Sequence, residues 1–335
     1  MRTQVLGRGL EVSAVGLGCM GFSHAYGAAT DDAEAIKLIR YAHEQGVTLF
    51  DSAETYGTPE DPHCNEVLVA NALRPVRDEV TIVTKFGIHF DFEHDEPPYP
   101  LHLDSTPETI RRSCEGSLKR MGLDHIDLYF QHRMDPNVEP EVVAEAVGEL
   151  IAEGKVLHWG ISEASEDYLR RAHAVTPVTC IENRYSMMAR WHESLWPTLE
   201  ELGIGYMAFS PLANGFLTGQ VRKGMQAGFD GKAGDYRANM PQFTDENIEK
   251  NQALLDLLDE MAAAHGISVP QLSLAWMICK RPWLVPIPGS RKAERIEQNA
   301  AAGDVVLSED EIERIDTALD GMDFEVFGGN AAAKK

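Results

Sequence analysis

Eight short apolar runs recur along the chain, each separated from the next by a stretch of helical period or a long polar connection, and this alternation constrains the fold more than any other feature. The runs are "SAVGLGCM", "TLFDSA", "VTIVTKF", "IDLYFQH", "VLHWGIS", "TCIENRYS", "YMAFSPL" and "WLVPIP". Between them lie patterns such as "DDAEAIKLIRYAHEQG", "PETIRRSCEGSLKRMG", "VEPEVVAEAVGELIAEG" and "HESLWPTLEELG", several ending on a glycine that suits a helix C-terminus. An apolar run followed by an amphipathic helix reads as a βα unit. Eight of them predict an α/β fold, a closed (β/α)8 TIM barrel.

Some segments fall outside the eight repeats. "TQVLGRGLEVSA" predicts an N-terminal hairpin that plugs the barrel bottom, with Gly7 to Gly9 as its turn. "DENIEKNQALLDLLDEMAAAHG" precedes the helix "PQLSLAWMICK" with no strand between them, so one of the two is an extra helix, and "SEDEIERIDTALDG" is another. Residues 87 to 106 and 213 to 245 form connections longer than an ordinary loop, which at a barrel mouth line a binding site. No linker or low-complexity segment interrupts the chain. The expectation is a single domain over 1–335, with a flexible tail from about 326.

Charge narrows the ligand classes. The 53 acidic side chains outnumber the 30 Lys and Arg, for a formal charge of −23, which disfavours nucleic acid and anionic membrane as partners. An anionic small molecule therefore needs its own local cluster of positive charge. Five widely spaced cysteines, with no C-x-x-C pair, fit reduced thiols in a cytoplasmic protein. The N-terminus has no apolar run for a signal peptide, and no stretch reaches transmembrane length.

"VGLGCMG" carries Gly16, Gly18 and Gly21 in the G-x-G-x-x-G spacing of a dinucleotide-binding turn. That motif needs a helix opening on its third glycine, and "FSHAYGAAT" follows instead. The other reading is a strand end whose glycines let backbone approach something closely.

In a barrel of this kind functional groups sit at the C-terminal ends of the strands. Asp51 closes the second run, with Tyr56 just beyond it; the third ends near Lys85, the fourth at His132 and the fifth at Ser162. A carboxylate, a phenol, an ammonium and an imidazole thus gather at one mouth. A phenol titrates near 10 and is a poor acid at neutral pH. A neighbouring ammonium brings its pKa down, and a carboxylate holds that ammonium charged and in place. Such a tyrosine can protonate an alkoxide formed when hydride reaches a carbonyl carbon. His132 could orient the carbonyl oxygen or share in the proton transfer. No metal is needed, and the histidines show no metal-ligand spacing.

Near the other end of the chain, "VPIPGSRKAERIEQN" puts Ser290 at a helix start beside Arg291, Lys292 and Arg295. Backbone amides and arginine forks in that arrangement suit phosphate. "SPLANGFLTG" after the seventh run adds a second small-residue loop on the same rim.

Together these segments resemble the aldo-keto reductase family over nearly the whole chain. "GVTLFDSAETYG", "IVTKFG", "DHIDLYFQHRMD", "GKVLHWGIS", "FSPLANGFLTG" and "IPGSRKAERIEQN" follow the family's order. The resemblance implies an NADPH-dependent reductase of aldehydes or ketones. Tyr56 would be general acid, Lys85 and Asp51 would tune it, and His132 would orient substrate. It places Gly18, Cys19 and Met20 at the nicotinamide end of the cofactor, with Ser162, Glu163 and Glu182 at the carboxamide and Phe209 stacked on the ring. Ser210, Leu212, Gly215 and Leu217 would follow the pyrophosphate, Gly289, Ser290, Arg291 and Arg295 the 2′-phosphate, and Gln298 and Asn299 the adenine.

Many members have Asn and Gln where Glu163 and Glu182 stand, and a frequent Tyr is replaced by Phe209. An ionised carboxylate accepts from an amide NH2 but cannot donate to its oxygen, and Asn183 is placed to compensate. Phe86 and Arg133, with Met20, Tyr56, His132, "HFDFEHDEPPYPLHL" and "MDFEVFG", are the expected walls for a small carbonyl or alcohol substrate. Two other functions share these residues: a slow, cofactor-sensing protein similar to potassium-channel β-subunits, and a Schiff-base aldolase using Lys85.

Overall fold

The computed structural model describes residues 1–58, 60–91 and 100–328. It opens with the expected antiparallel hairpin, β1 (Thr3–Val5) and β2 (Glu11–Ser13). The turn packs against the barrel bottom: Gly7 has φ 77°, and a Cβ there would meet Thr179 O at 2.0 Å, so only glycine fits. Leu6 and Val12 enter the barrel interior with Leu49, Val83, Leu128, Phe130, Met207 and Val285.

Eight parallel strands follow: β3 (Leu17–Gly18), β4 (Leu49–Asp51), β5 (Thr81–Phe86), β8 (Ile126–Gln131), β9 (Val156–Ser162), β10 (Cys180–Arg184), β11 (Gly205–Phe209) and β12 (Leu284–Pro286). Each pairs with the next in chain order. The two ends meet through Gly16 N–H donating to Pro286 O at 2.9 Å and Gly18 N–H to Pro288 O at 3.4 Å. A Cβ on Gly18 would lie 2.8 Å from Ile287 O. The glycines of "VGLGCMG" therefore let the first strand close against the eighth, and no helix opens on Gly21; a short 3-10 turn, Met20–Phe22, stands there.

Helices α1 (Asp32–Glu44), α2 (Cys64–Leu73), α3 (Pro107–Met121), α4 (Pro140–Ala152), α5 (Glu166–Val175) and α6 (Trp196–Leu202) cover the strands from outside. The stretch 245–266, expected as one helix, breaks at Asn251 into α7 (Asp245–Lys250) and α8 (Gln252–His265), and the buried Asn251 amide donates to Asn247 O at 2.8 Å. Next comes α9 (Val269–Lys280), buried over Leu272 to Ile278. That all-round burial identifies α9 as the barrel helix and α8 as the added one. After β12 come α10 (Ala293–Ala301) and α11 (Glu309–Asp320), the latter tied to α9 by Trp276 Nε1–H donating to Asp316.

Both long connections lie at the C-terminal mouth. The first carries a hairpin, β6 (Ile88–Phe90) and β7 (Leu101–Leu103). The second is a series of 3-10 turns that crosses the mouth to reach the loop after β3, where Tyr236 N–H donates to Ala25 O at 3.0 Å. Part of the expected substrate wall, residues 92–99, and the tail 329–335 lie outside the described residues.

Candidate active site

The strand-end residues named from the sequence converge. Register pairs Asp51 with Val83 and Lys85 with Phe130, so Asp51 and Lys85 project together at the top of adjacent strands. The fully buried Lys85 ammonium donates to the Asp51 carboxylate and, at 2.8 Å, to Ser52 O. Its Nζ lies 4.9 Å from the centre of the Tyr56 ring. Tyr56 OH is 3.4 Å from His132 Nε2, with the two rings edge to face at 5.5 Å.

Electrostatics within this group are governed by burial. Desolvation alone would discharge Lys85, but its neighbours, Asp51 foremost, outweigh it and hold the ammonium charged. Burial together with Lys85 and Arg133 pushes His132 well below the usual imidazole range, so it is neutral. Tyr56 departs from the sequence-based expectation. Lys85 does pull its pKa down, but burial, Asp51 and Glu182 push harder, and the phenol lies above its ordinary value. In this structure Tyr56 is a firmly held OH group.

Its support includes residues that the sequence reading missed. Asn65, buried near the start of α2, accepts from Ser52 Oγ at 2.7 Å and donates to Cys19 O at 3.0 Å and to Ser23 Oγ at 2.6 Å. Ser23 in turn donates to Tyr56 O. Asn65 thus joins the loop after β3 to the loop carrying Tyr56. The His24 ring stacks on Tyr56 at 6.5 Å. No local pattern marked either residue, because their partners come from other repeats.

Among the residues named for the cofactor near β9 and β10, Ser162 donates to Glu182 O at 2.7 Å and accepts from Arg133 at 3.0 Å. Glu163 needs a correction. With φ 59°, its carboxylate turns to accept Arg184 N–H at 2.8 Å and to pair with His192 at 3.5 Å. Burial opposes its charge, yet those contacts hold its pKa below the usual value. Asn183 Oδ1 accepts Glu163 N–H at 2.8 Å, and the buried Asn183 Nδ2 has no hydrogen-bond partner among the described residues. Glu182 Oε2 is likewise buried with no hydrogen-bond partner among the described residues, its one ion-pair contact there being Lys85 Nζ at 3.5 Å.

Phe86 is the second correction. Side chains alternate along a strand, so with Lys85 inward Phe86 points outward. Its ring lies 4.8 Å from Tyr129 in the layer between barrel and helices, 1% exposed, and does not line the mouth. Cys19 and Leu217 are also buried in hydrophobic clusters, which leaves only their backbone for a ligand. Arg184 lies 5.0 Å over the Phe209 ring.

The loop after β11 has Ser210, Ala213, Asn214 and Gly215 all at positive φ. The three non-glycine residues there cost of order 1–3 kcal/mol each and persist only where the surroundings impose them. Asn214 is anchored by donating to Tyr26 OH at 2.8 Å and accepting from Arg184 at 3.3 Å. Across the rim, Arg291 donates to Gly21 O and Ala28 O at 2.5 and 2.8 Å, while its buried Nη2 has no hydrogen-bond partner among the described residues. Arg295 reaches Gln220 at 3.1 Å, and Lys292 N–H donates to Ser290 Oγ at 3.1 Å. Gly289 packs so closely on Gly18 O that a Cβ would sit 2.8 Å away. Gln298 is half-buried and Asn299 buried on α10.

Fold and site together define a (β/α)8 barrel with an acid-base cluster of phenol, imidazole, ammonium and carboxylate at the C-terminal mouth. The sequence matches the aldo/keto reductase family over residues 14–320, and the chain belongs to that family. It is 38% identical over 315 residues to a probable aldo-keto reductase 1 of Glycine max, covering 93% of this chain and 87% of the relative. Among solved structures, the glycerol dehydrogenase of Gluconobacter oxydans is 26% identical, with a TM-score of 0.85 over 96% of this chain and 95% of that one. An aldo/keto reductase of Klebsiella pneumoniae, solved in complex with NADP and acetate, is also 26% identical, with a TM-score of 0.71 over 97% and 98%. No helix among the described residues is long and apolar enough to cross a membrane.

Proposed function

We propose that this chain reduces aldehydes or ketones to alcohols with NADPH, using Tyr56 as the proton donor. The observation that carries the reading is the Tyr56 hydroxyl 3.4 Å from a neutral His132, beside a permanently charged Lys85. The NADP complex of the Klebsiella relative supports the choice of cofactor.

The residues present suit that cofactor. The unpartnered Nη2 of Arg291 offers a donor to a phosphate, with Ser290 and Arg295 beside it. The unpartnered Asn183 Nδ2 can donate to a carboxamide oxygen, the contact an ionised carboxylate cannot make.

When bound, NADPH supplies the hydride. The protein's part is to place the carbonyl and deliver a proton. Burial keeps the Tyr56 OH protonated until an alkoxide forms next to it. The alkoxide accepts that proton, and the nearby Lys85 ammonium stabilises the phenolate left behind. Asp51 keeps Lys85 in position, and the neutral His132 can hydrogen-bond the carbonyl oxygen without competing as an acid.

The test is NADPH oxidation over a panel of aryl aldehydes, alkyl aldehydes and ketoses, run beside Tyr56→Phe. Turnover in the wild type and a loss of roughly 100- to 10,000-fold in the variant, with NADPH still bound, is the expected result. Tight NADPH binding with no turnover on any carbonyl would refute the reductase reading in favour of a cofactor-sensing role.

A further inference from the structure

The fully buried groups of the cluster are one cation and two carboxyl groups; Arg133 beside them is only half-buried and donates to His132 O and Ser162 Oγ. Lys85 donates to Asp51 and Ser52 O, whereas Glu182 Oε2 stands 3.5 Å from the same nitrogen with no hydrogen-bond partner among the described residues. Both carboxyl groups are about 97% buried or more. Two carboxylates around one ammonium leave a net negative charge out of water, which is costly. One proton on the pair removes that charge. Asp51 already receives the close hydrogen bond from Lys85, so the proton belongs on Glu182.

Glu182 is surrounded by identifiable groups. Lys85 faces it from β5, Asp51 from β4, Tyr56 from the loop after β4 and Arg133 from the loop after β8. Cys180 shares its strand, and burial keeps that thiol protonated. Across the sheet its register partners are Ser162 on β9 and Met207 on β11, neither of them charged. Burial and Asp51 push the Glu182 carboxyl up to about 8, against the pull of Lys85 and Arg133. It is therefore mostly neutral at pH 7, and one added positive charge nearby is enough to ionise it.

We propose that Glu182 senses the redox state of the nicotinamide: it is neutral in the empty site and beside the reduced ring, and ionised beside the positively charged oxidised ring, so that NADP+ binding releases a proton. This rests on the mouth being the dinucleotide site. A glutamine at this position would be neutral with either form. By linkage, the proton released on binding makes NADP+ bind more tightly as pH rises, while NADPH affinity gains nothing from Glu182. The carboxyl thereby sets how strongly the oxidised cofactor is held near neutral pH.

The experiment measures Kd for NADP+ and NADPH from pH 6 to 9 in wild type and Glu182→Gln, and takes the ratio, which cancels titration of the 2′-phosphate common to both. In the wild type the ratio should shift toward NADP+ by about ten-fold per pH unit, levelling near pH 8; in Glu182→Gln it should be flat. Calorimetry of the wild type in buffers of different ionisation heat should show a proton released with NADP+ at pH 7 and none with NADPH. That measurement decides the matter alone if the variant does not fold. A flat wild-type ratio, or an equal slope in the variant, overturns the proposal while leaving the reductase reading intact. Failure of both nucleotides to bind overturns the two together.

Discussion

Replacing Lys85 with methionine would separate its electrostatic role from its structural one. The ammonium lies 4.9 Å from the centre of the Tyr56 ring. At an effective dielectric of about 20, unit charges at that separation interact by about 3 kcal/mol. That corresponds to about two pKa units on the phenol, and to roughly a hundred-fold in a step that leaves a phenolate behind. The same substitution strands the buried Asp51 carboxylate, and breaking a buried pair costs about 3–5 kcal/mol of stability. Lys85→Met with Asp51→Asn removes charge from both and should recover most of that stability. The assay is single-turnover NADPH oxidation at saturating aldehyde, with urea unfolding measured in parallel. The single variant should be slowed about a hundred-fold and lose stability, while the double variant should regain stability and only part of the rate, because removing the Asp51 charge also relieves its upward push on the phenol. If the rate recovers fully with stability in the double variant, Lys85 acts by holding the fold, and the electrostatic argument is wrong.

Two further outcomes test other parts of the structure. Burial and the neighbouring Glu66 push Glu54 up to about 8 from 4.5, so the folded protein keeps a proton there that the unfolded chain has lost. Stability should therefore fall as pH rises through that window, and Glu54→Gln should be more stable than wild type at pH 8.5 by on the order of a few kcal/mol, with the difference vanishing near pH 4; equal stability at both pH values in chemical unfolding would count against the buried carboxyl. The paired change Arg291→Ala and Arg295→Ala should weaken NADPH about ten-fold or more while changing NADH little, since charge-assisted contacts to the 2′-phosphate are lost; parallel weakening of both nucleotides by fluorescence titration would refute the phosphate assignment. Because Arg291 also holds Gly21 O and Ala28 O, Arg295→Ala alone provides the cleaner single comparison.

Much of this was legible in the linear order of residues. The alternation of apolar runs with helical periods specifies βα units without any tertiary information, since each period reports which face of an element is buried. Strand ends then place Asp51, Lys85 and His132 at one mouth, because parallel strands in a barrel all point the same way. The helix over Cys64–Leu73 carried a weaker signal: Asn65, Glu66, Leu68, Val69, Ala70, Ala72 and Leu73 are all buried, so no apolar stripe stands out. Phe86 was misplaced although its outward direction follows from strand alternation once Lys85 is known to point inward.

What the chain order could not supply was the identity of neighbours brought together by folding. "VGLGCMG" has dinucleotide spacing, and only the arrival of Ile287, some 270 positions later, shows that its glycines serve barrel closure. The Glu163 carboxylate is claimed by Arg184 and His192, the latter from a different segment. The Tyr56 phenol was expected to be acidified by Lys85, yet its pKa rises, because desolvation depends on everything packed around a group and not on any one partner. The sequence by itself determined the repeat, the strand ends and the types of chemical group available. The tertiary structure decided which of those groups touch, how deeply each is buried and therefore which of them carries charge, since contact and solvation are properties of the packed volume and not of the order of residues along the chain.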